Sequence, residues 1–173
     1  VTLTIPVQAP NGLDEILAHY GDPHLQLVDG AWTVDSQWES ANMTMIAHPL
    51  FPSGKLYVHR LVAAPMLRVF DRWRMRIAAG DPYRVRMLGC FAPRAQRGSF
   101  SLIPSTHSWG IAFDVNADAN PLIAPCLPED PRRKTAKDIP GEWINDAKLE
   151  GWFWGGEFRT RFDAMHFQLC SGF

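Results

Sequence analysis

Residues 105–116 read Ser-Thr-His-Ser-Trp-Gly-Ile-Ala-Phe-Asp-Val-Asn, and residues 163–169 read Asp-Ala-Met-His-Phe-Gln-Leu. From Gly110 onward the first segment alternates strictly. Ile111, Phe113 and Val115 are large and apolar, whereas Gly110, Ala112, Asp114 and Asn116 are small or polar. A strand puts these two sets on opposite faces. The second segment repeats the pattern, with Met165, Phe167 and Leu169 apolar and His166 and Gln168 polar. If the two strands pair, Asp114 and His166 share one open face and the apolar residues share the other. The expected fold is α+β: a small antiparallel sheet carrying the site, with helices packed on one side.

His107, just before the first strand, can supply a third ligand from its loop. Two imidazoles and one carboxylate, with a fourth position left for water, make the catalytic type of zinc site. Nitrogen and oxygen donors without thiolate fit Zn²⁺, with Mn²⁺ or Co²⁺ as substitutes. The competing non-haem iron triad usually wants a His-x-Asp pair, and His107 and Asp114 are too far apart in sequence for that. His19, His24, His48 and His59 sit in no such pattern and are read as structural or exposed.

The chain of 173 residues is the length of one domain. With 46% hydrophobic and 20% charged residues it has a globular composition. It contains no run of about 18 apolar residues, so no membrane span is expected. The first residues lack a basic segment followed by an apolar one, so no signal peptide is visible, although processing or truncation could have hidden one. Cys90, Cys126 and Cys170 are widely spaced and odd in number, which reads as reduced core thiols rather than a zinc knuckle or redox pair.

The formal net charge is −1, but its distribution is uneven. Residues 1–50 hold six acids and no Lys or Arg, whereas residues 60–97 hold nine Arg against Asp71 and Asp81. The arginines are either solvated helix surface or a basic face for an acidic polymer. No nucleic-acid motif accompanies them, and no nucleic-acid partner is expected.

The spacing predicts a helix over 13–20, with Asn11 as its N-cap and Gly21-Asp22-Pro23 as its stop. Residues 42–54, punctuated by Pro and Gly, read as loop. The strongest helical period lies in 57–79, where Leu61, Val62, Met66, Val69, Phe70, Trp73 and Ile77 form one stripe. Pro65 should start or kink that helix, and Gly80-Asp81-Pro82 close it. Residues 83–91 read as a buried strand. Residues 117–150 read as a long surface excursion with one helix near 141–149.

These segments resemble the zinc D-alanyl-D-alanine carboxypeptidase and L-alanyl-D-glutamate endopeptidase family, peptidoglycan peptidases that include many bacteriophage endolysins. That family reads Ser-x-His-x-x-Gly-x-Ala-x-Asp, then an acid three residues before a His followed by Phe and Gln or Glu. Ser105, His107, Gly110, Ala112 and Asp114 stand in register, as do Asp163, His166, Phe167 and Gln168. Residues 89–94 and 97–99 resemble the family's arginine-bearing segment, and 154–158 its Trp-Gly-Gly stretch. The resemblance covers about residues 57–170, with 1–56 as an N-terminal extension packed on a single peptidase domain.

The resemblance implies that His107, Asp114 and His166 hold Zn²⁺ and that Asp163 is the general base. The offset of Asp163 from His166 places it in the turn entering the strand, and Glu157 is the next candidate. Arg94 would stabilise the oxyanion, with Arg97 as rival for that role. Ser105, Arg97 and Trp154 would contact substrate, and Trp109 could wall the cleft. The implied substrate is the peptidoglycan stem peptide, cut by a monomeric enzyme that is made in the cytoplasm of a bacterial host and acts on the cell wall or periplasm. The implied role is a phage or prophage endopeptidase, with a D-alanyl-D-alanine carboxypeptidase second on the same chemistry. A non-catalytic zinc-stabilised wall-binding module is the rival of another class, and it has no need of Asp163.

Overall fold

The alternation over 111–115 and 165–169 becomes an antiparallel pair in the register that puts Asp114 directly opposite His166. The computed structural model describes residues 9–96 and 103–172. In chain order the elements are α1 (Leu13–Tyr20), β1 (Gln26–Val28), β2 (Ala31–Thr33), α2 (Ser36–Asn42), β3 (Met43–Ala47), β4 (Lys55–His59), α3 (Arg60–Ala78), β5 (Leu88–Gly89), β6 (Ala112–Val115), β7 (Leu122–Ile123), α4 (Arg132–Thr135), α5 (Gly141–Leu149), β8 (Phe153–Trp154), β9 (Phe162–Asp163) and β10 (His166–Gln168). A four-stranded antiparallel sheet of order β5-β6-β10-β8 carries the paired segments, and β1-β2, β3-β4 and β7-β9 form separate two-stranded pairs. The fold is mixed α+β.

The apolar face of β6 and β10 meets the helices. Phe113 and Phe167, opposite each other, stack with ring centroids 5.1 Å apart. Val62, Met66, Val69, Phe70 and Trp73 of α3 lie fully buried against them, and Trp73 packs on Trp143 of α5 at 5.0 Å. Ile16, Tyr20, Trp38, Met43, Phe51 and Leu56 belong to the same cluster. The expected stripe on α3 is present except at its start, where Leu61 is exposed. The helix begins at Arg60 and runs through a buried Pro65, so the proline does not start it. His59 sets the start instead: its Nδ1 accepts the Leu61 N–H at 3.2 Å, satisfying an N-terminal donor.

The arginines of α3 have a specific use. Arg68, Arg72 and Arg76 recur one turn apart, and so do Glu142, Asp146 and Glu150 on and just after α5. Glu150, buried, accepts from Arg68 Nε at 2.5 Å and from Arg72 Nε at 2.8 Å. Arg76 reaches both Asp146 and Glu142. Arg86 pairs with Asp118 and Asp138, Arg74 with Asp71, and Arg60 and Arg84 bind backbone carbonyls. The run of positive charge is thus a fastener between helices and loops rather than an open basic face.

Four local expectations are corrected. Asn11 does not cap α1: Gly12 occupies that position, and Asn11 Oδ1 accepts from the Ser171 hydroxyl near the C-terminus. Residues 42–54 are not all loop, because Pro49, Pro52 and Gly54 cluster in the connection between β3 and β4 and leave both hairpin strands intact. Residues 83–91 form only the two-residue β5. The Asn116 side chain ties down the rest of that segment, accepting from the N–H groups of Arg86 and Met87 and donating to the Arg84 carbonyl. Residues 117–140 are largely surface and the helix at 141–149 is present, both as expected, but that helix is packed inward rather than lying on the surface: Trp143, Ile144 and Ala147 are buried. All three cysteines are free and buried, as expected.

Burial pushes the Glu150 carboxyl up, but Arg68 and Arg72 outweigh it and hold the group below the usual carboxylate range. A depressed carboxyl adds stability above its unfolded value that is lost as pH falls through the folded one. Glu150→Gln should cost about 1–3 kcal/mol in urea unfolding at pH 7. The gap from the parent should close under acid conditions, where the parent carboxylate is also protonated.

Candidate metal centre

Three ligand atoms converge on the open face of the sheet. His166 Nδ1 lies 3.0 Å from Asp114 Oδ1, and His107 Nε2 lies 3.2 Å from both. Asp114 and His166 come from facing positions on β6 and β10. His107 comes from the single 3-10 turn Thr106–Trp109, whose start Ser105 caps by accepting the His107 N–H. The turn ends at Gly110, which has φ +66; a Cβ there would lie 2.5 Å from Met43 Cε and 3.0 Å from the His59 nitrogen. The glycine therefore lets the chain turn into β6 against the β3-β4 hairpin.

The hydrogen bonds behind the imidazoles decide where their lone pairs point. His107 Nδ1 lies 2.6 Å from the Cys90 carbonyl, which can only accept, so Nδ1 carries the proton and Nε2 offers its lone pair inward. His166 Nε2 lies 3.0 Å from Gln168 Oε1, and Gln168 Nε2 donates to the Cys170 carbonyl, which fixes that amide's orientation. His166 therefore also turns an unprotonated Nδ1 inward. Two neutral imidazoles and a carboxylate thus aim three acceptors at one point with no donor between them. That arrangement is repulsive unless a cation sits there.

The donor set suits zinc. Bonds of 2.0–2.2 Å in a tetrahedral site require donors about 3.3 Å apart, close to the separations observed. Without a cation a proton takes its place: burial opposes ionisation of Asp114, but hydrogen bonds from His107 and His166 in their protonated forms hold its carboxyl far below the usual range. Burial opposes charging of His166, and the Asp114 carboxylate more than offsets this, raising the imidazole.

Asp163 lies on β9, paired with Leu122 of β7, not in a turn; the turn follows it at Ala164-Met165. It lines the same cleft as Asp114 and His166. Its Oδ1 is buried and has no hydrogen-bond partner, and burial raises its carboxyl. Gly155 explains how base and ligand fit together: a Cβ there would lie 3.0 Å from the Cβ atoms of both Asp163 and His166 and 2.6 Å from the Asp163 carbonyl.

Arg94 also lines the cleft, and its peptide N–H and carbonyl both bond the Ser108 hydroxyl. Ser105 borders the cleft besides capping the His107 turn. Arg97 lies outside the described residues. Trp154 is not a cleft wall: its indole donates to the Ala164 carbonyl and packs on Phe162 and over Gly156. Trp109 is core, donating to the Gly21 carbonyl. Glu157 is exposed and bound to Lys148, away from the cleft. The sequence reading missed Thr106, whose hydroxyl approaches both His166 and Gln168, and it missed Phe158, Arg161, Met165 and Leu122 of the cleft lining. Thr106 lies between the motif residues Ser105 and His107, whereas nothing in the local pattern singles out Arg161.

His166→Ala should abolish stoichiometric zinc binding, measured by metal analysis after dialysis, against about one zinc per parent chain. Gln168→Leu, which removes only the proton acceptor behind His166, should weaken zinc affinity about 10- to 100-fold without abolishing it. Unchanged zinc affinity in His166→Ala would refute the ligand set.

Residues 101–169 match the family model described as D-alanyl-D-alanine carboxypeptidase. No curated protein and no solved structure matches the chain. The matched stretch is shorter than the 57–170 expected from the motifs and begins after Arg94. It contains His107, Asp114, Asp163 and His166. The stretch that matches the D-alanyl-D-alanine carboxypeptidase family model is thus the one that brings these four side chains to one cleft.

Proposed function

We propose that the protein is a zinc peptidase that hydrolyses an amide bond in the peptidoglycan stem peptide, acting at the bacterial wall. The observation that carries this reading is the convergence of three inward lone pairs beside a buried carboxylate oxygen with no partner. A module that only grips ligand has no use for Asp163, whose burial costs stability.

His107, Asp114 and His166 would hold the zinc, which when bound supplies Lewis acidity, lowering the pKa of water towards about 7 and polarising an amide carbonyl. Asp163 Oδ1 takes the proton of the attacking water and passes it to the amide nitrogen as the C–N bond breaks. The water oxygen stays on the carbonyl carbon, so the products are a carboxylate and an amine. Arg94, at the cleft edge, supplies a fixed positive charge to the carbonyl oxygen as negative charge develops there.

The finer reading is an L-alanyl-D-glutamate endopeptidase of phage or prophage origin. Asp114 supports cleavage within a chain, because it borders both the cleft and a second groove lined by Pro52, Met87, Leu88 and Gly89. A peptide running along both would extend past the metal centre. The family description favours a second reading, removal of a terminal D-alanine. Mass analysis of muropeptides digested by the zinc-loaded protein separates the two.

Asp163→Asn keeps the side-chain size and removes the base. Turnover should fall about 10²- to 10⁴-fold with zinc content unchanged. Loss of zinc would make Asp163 part of the ligand set, and full activity would refute its role. A carboxyl raised by burial lowers stability as pH climbs through its titration, so the charged form is the destabilising one. The metal-free Asp163→Asn variant should therefore melt above the metal-free parent at pH 7, and the difference should shrink near pH 3.

A further inference from the structure

The cleft holds a cation that the proposed hydrolysis does not use. Arg161 lines it together with Asp163 and Phe158. The Arg161 guanidinium lies over the Phe158 ring, 4.6 Å from its centroid, and Phe158 in turn stands 6.0 Å from the His166 ring. Among the described residues Arg161 has no carboxylate within ion-pair distance, unlike Arg68, Arg72, Arg76, Arg86 and Arg132. It is half-buried, so its charge is not merely dissolved in bulk water.

The segment that presents Arg161 is held rigidly. Arg133 donates to the carbonyls of Phe158 at 2.6 Å, Arg161 at 3.0 Å and Gly156 at 3.0 Å, and to those of Cys126 and Leu127 on the facing loop. The backbone on both sides of the stacked pair is therefore fixed before any ligand arrives. A pre-set guanidinium with its fork unmatched recognises a carboxylate, and a fixed site loses little entropy on binding one.

We propose that Arg161 is a specificity residue that anchors a free carboxylate on the substrate residue next to the scissile amide. The inference rests on the stem-peptide reading for the ligand's identity. Both bonds considered above satisfy it. A D-glutamate linked onward through its γ-carboxyl keeps its α-carboxylate free, and a terminal D-alanine carries its own. A substrate with a carboxamide at that position leaves the guanidinium only the longer-range charge of Asp163. The protein therefore discriminates against wall peptides in which that carboxyl is amidated.

Binding is measured by calorimetry on the zinc-loaded full chain in an Asp163→Asn background, which suppresses turnover. The probes are L-alanyl-γ-D-glutamyl-L-lysine and D-alanyl-D-alanine, each compared with its α-carboxamide counterpart. For at least one pair the acid should bind about 10- to 100-fold tighter than the amide, and which pair responds identifies the source of the carboxylate. Adding Arg161→Gln should remove that preference by weakening only the acid, and Arg161→Lys should retain part of it. Arg159→Gln, which removes an exposed arginine two residues away, should leave the preference intact. The proposal is overturned if acid and amide bind alike, if neither binds, if Arg161→Gln keeps the preference, or if that variant weakens both ligands equally. Cleavage of the same peptides by protein with Asp163 intact is scored separately. A carboxylate preference without cleavage removes the peptidase reading and leaves the subsite standing.

Discussion

The direct pairing of Asp114 with His166 across β6 and β10 is the constraint on which the rest of the molecule depends. One register sets both faces. It stacks Phe113 on Phe167 over the helices and brings a carboxylate and an imidazole within 3.0 Å on the other side. A one-residue slip of either strand would put polar groups into the aromatic core and break up the ligand set. The hydrophobic effect therefore enforces the geometry of the polar site. The strands themselves are short, so packing against α3 must specify the register that the hydrogen-bond ladder alone leaves weakly determined.

The surrounding elements each remove one freedom from that pair. The Cys90 carbonyl and Gln168 fix the imidazole tautomers. Ser105 and Gly110 set the start and end of the turn that delivers His107. Gly155 lets β8 and its following turn press against Asp163 and His166. Behind the sheet, the charge ladder between α3 and the end of α5 fastens the helix that carries most of the aromatic core. Asp163 runs against this trend, as a buried oxygen without a partner where, among the described residues, nearly all such atoms are satisfied.

The site was legible in the sequence because its signal is local. Each ligand strand shows period-two alternation, so a polar residue on the open face stands out against its neighbours. The α3 stripe and the helix at 141–149 were legible for the same reason at the helical period. The failures share another cause. The hairpin strand at 43–47 was hidden because the prolines and glycine of its connection dominate the composition of that window. The segment 83–91 depends on Asn116, about 30 residues away, whose side chain replaces a strand partner. The arginines of α3 look like a surface feature because their acids lie 66–82 residues later. Arg161 and Phe158 reach the cleft only through tertiary folding, with no periodicity to announce them.

Apart from its stacking over the Phe162 ring, Arg133 grips its neighbours through main-chain oxygens. Such a clasp does not read the identity of the side chains it holds in place. Residues 157–161 can therefore exchange their side chains over evolutionary time while the loop keeps its course beside the candidate metal centre; Gly156 cannot, because a Cβ there would meet the Trp154 ring. The scaffold separates the part of the cleft that must persist, the ligand strands, from a rim that is free to diversify. A lineage could retune the rim one residue at a time without disturbing the ligand strands.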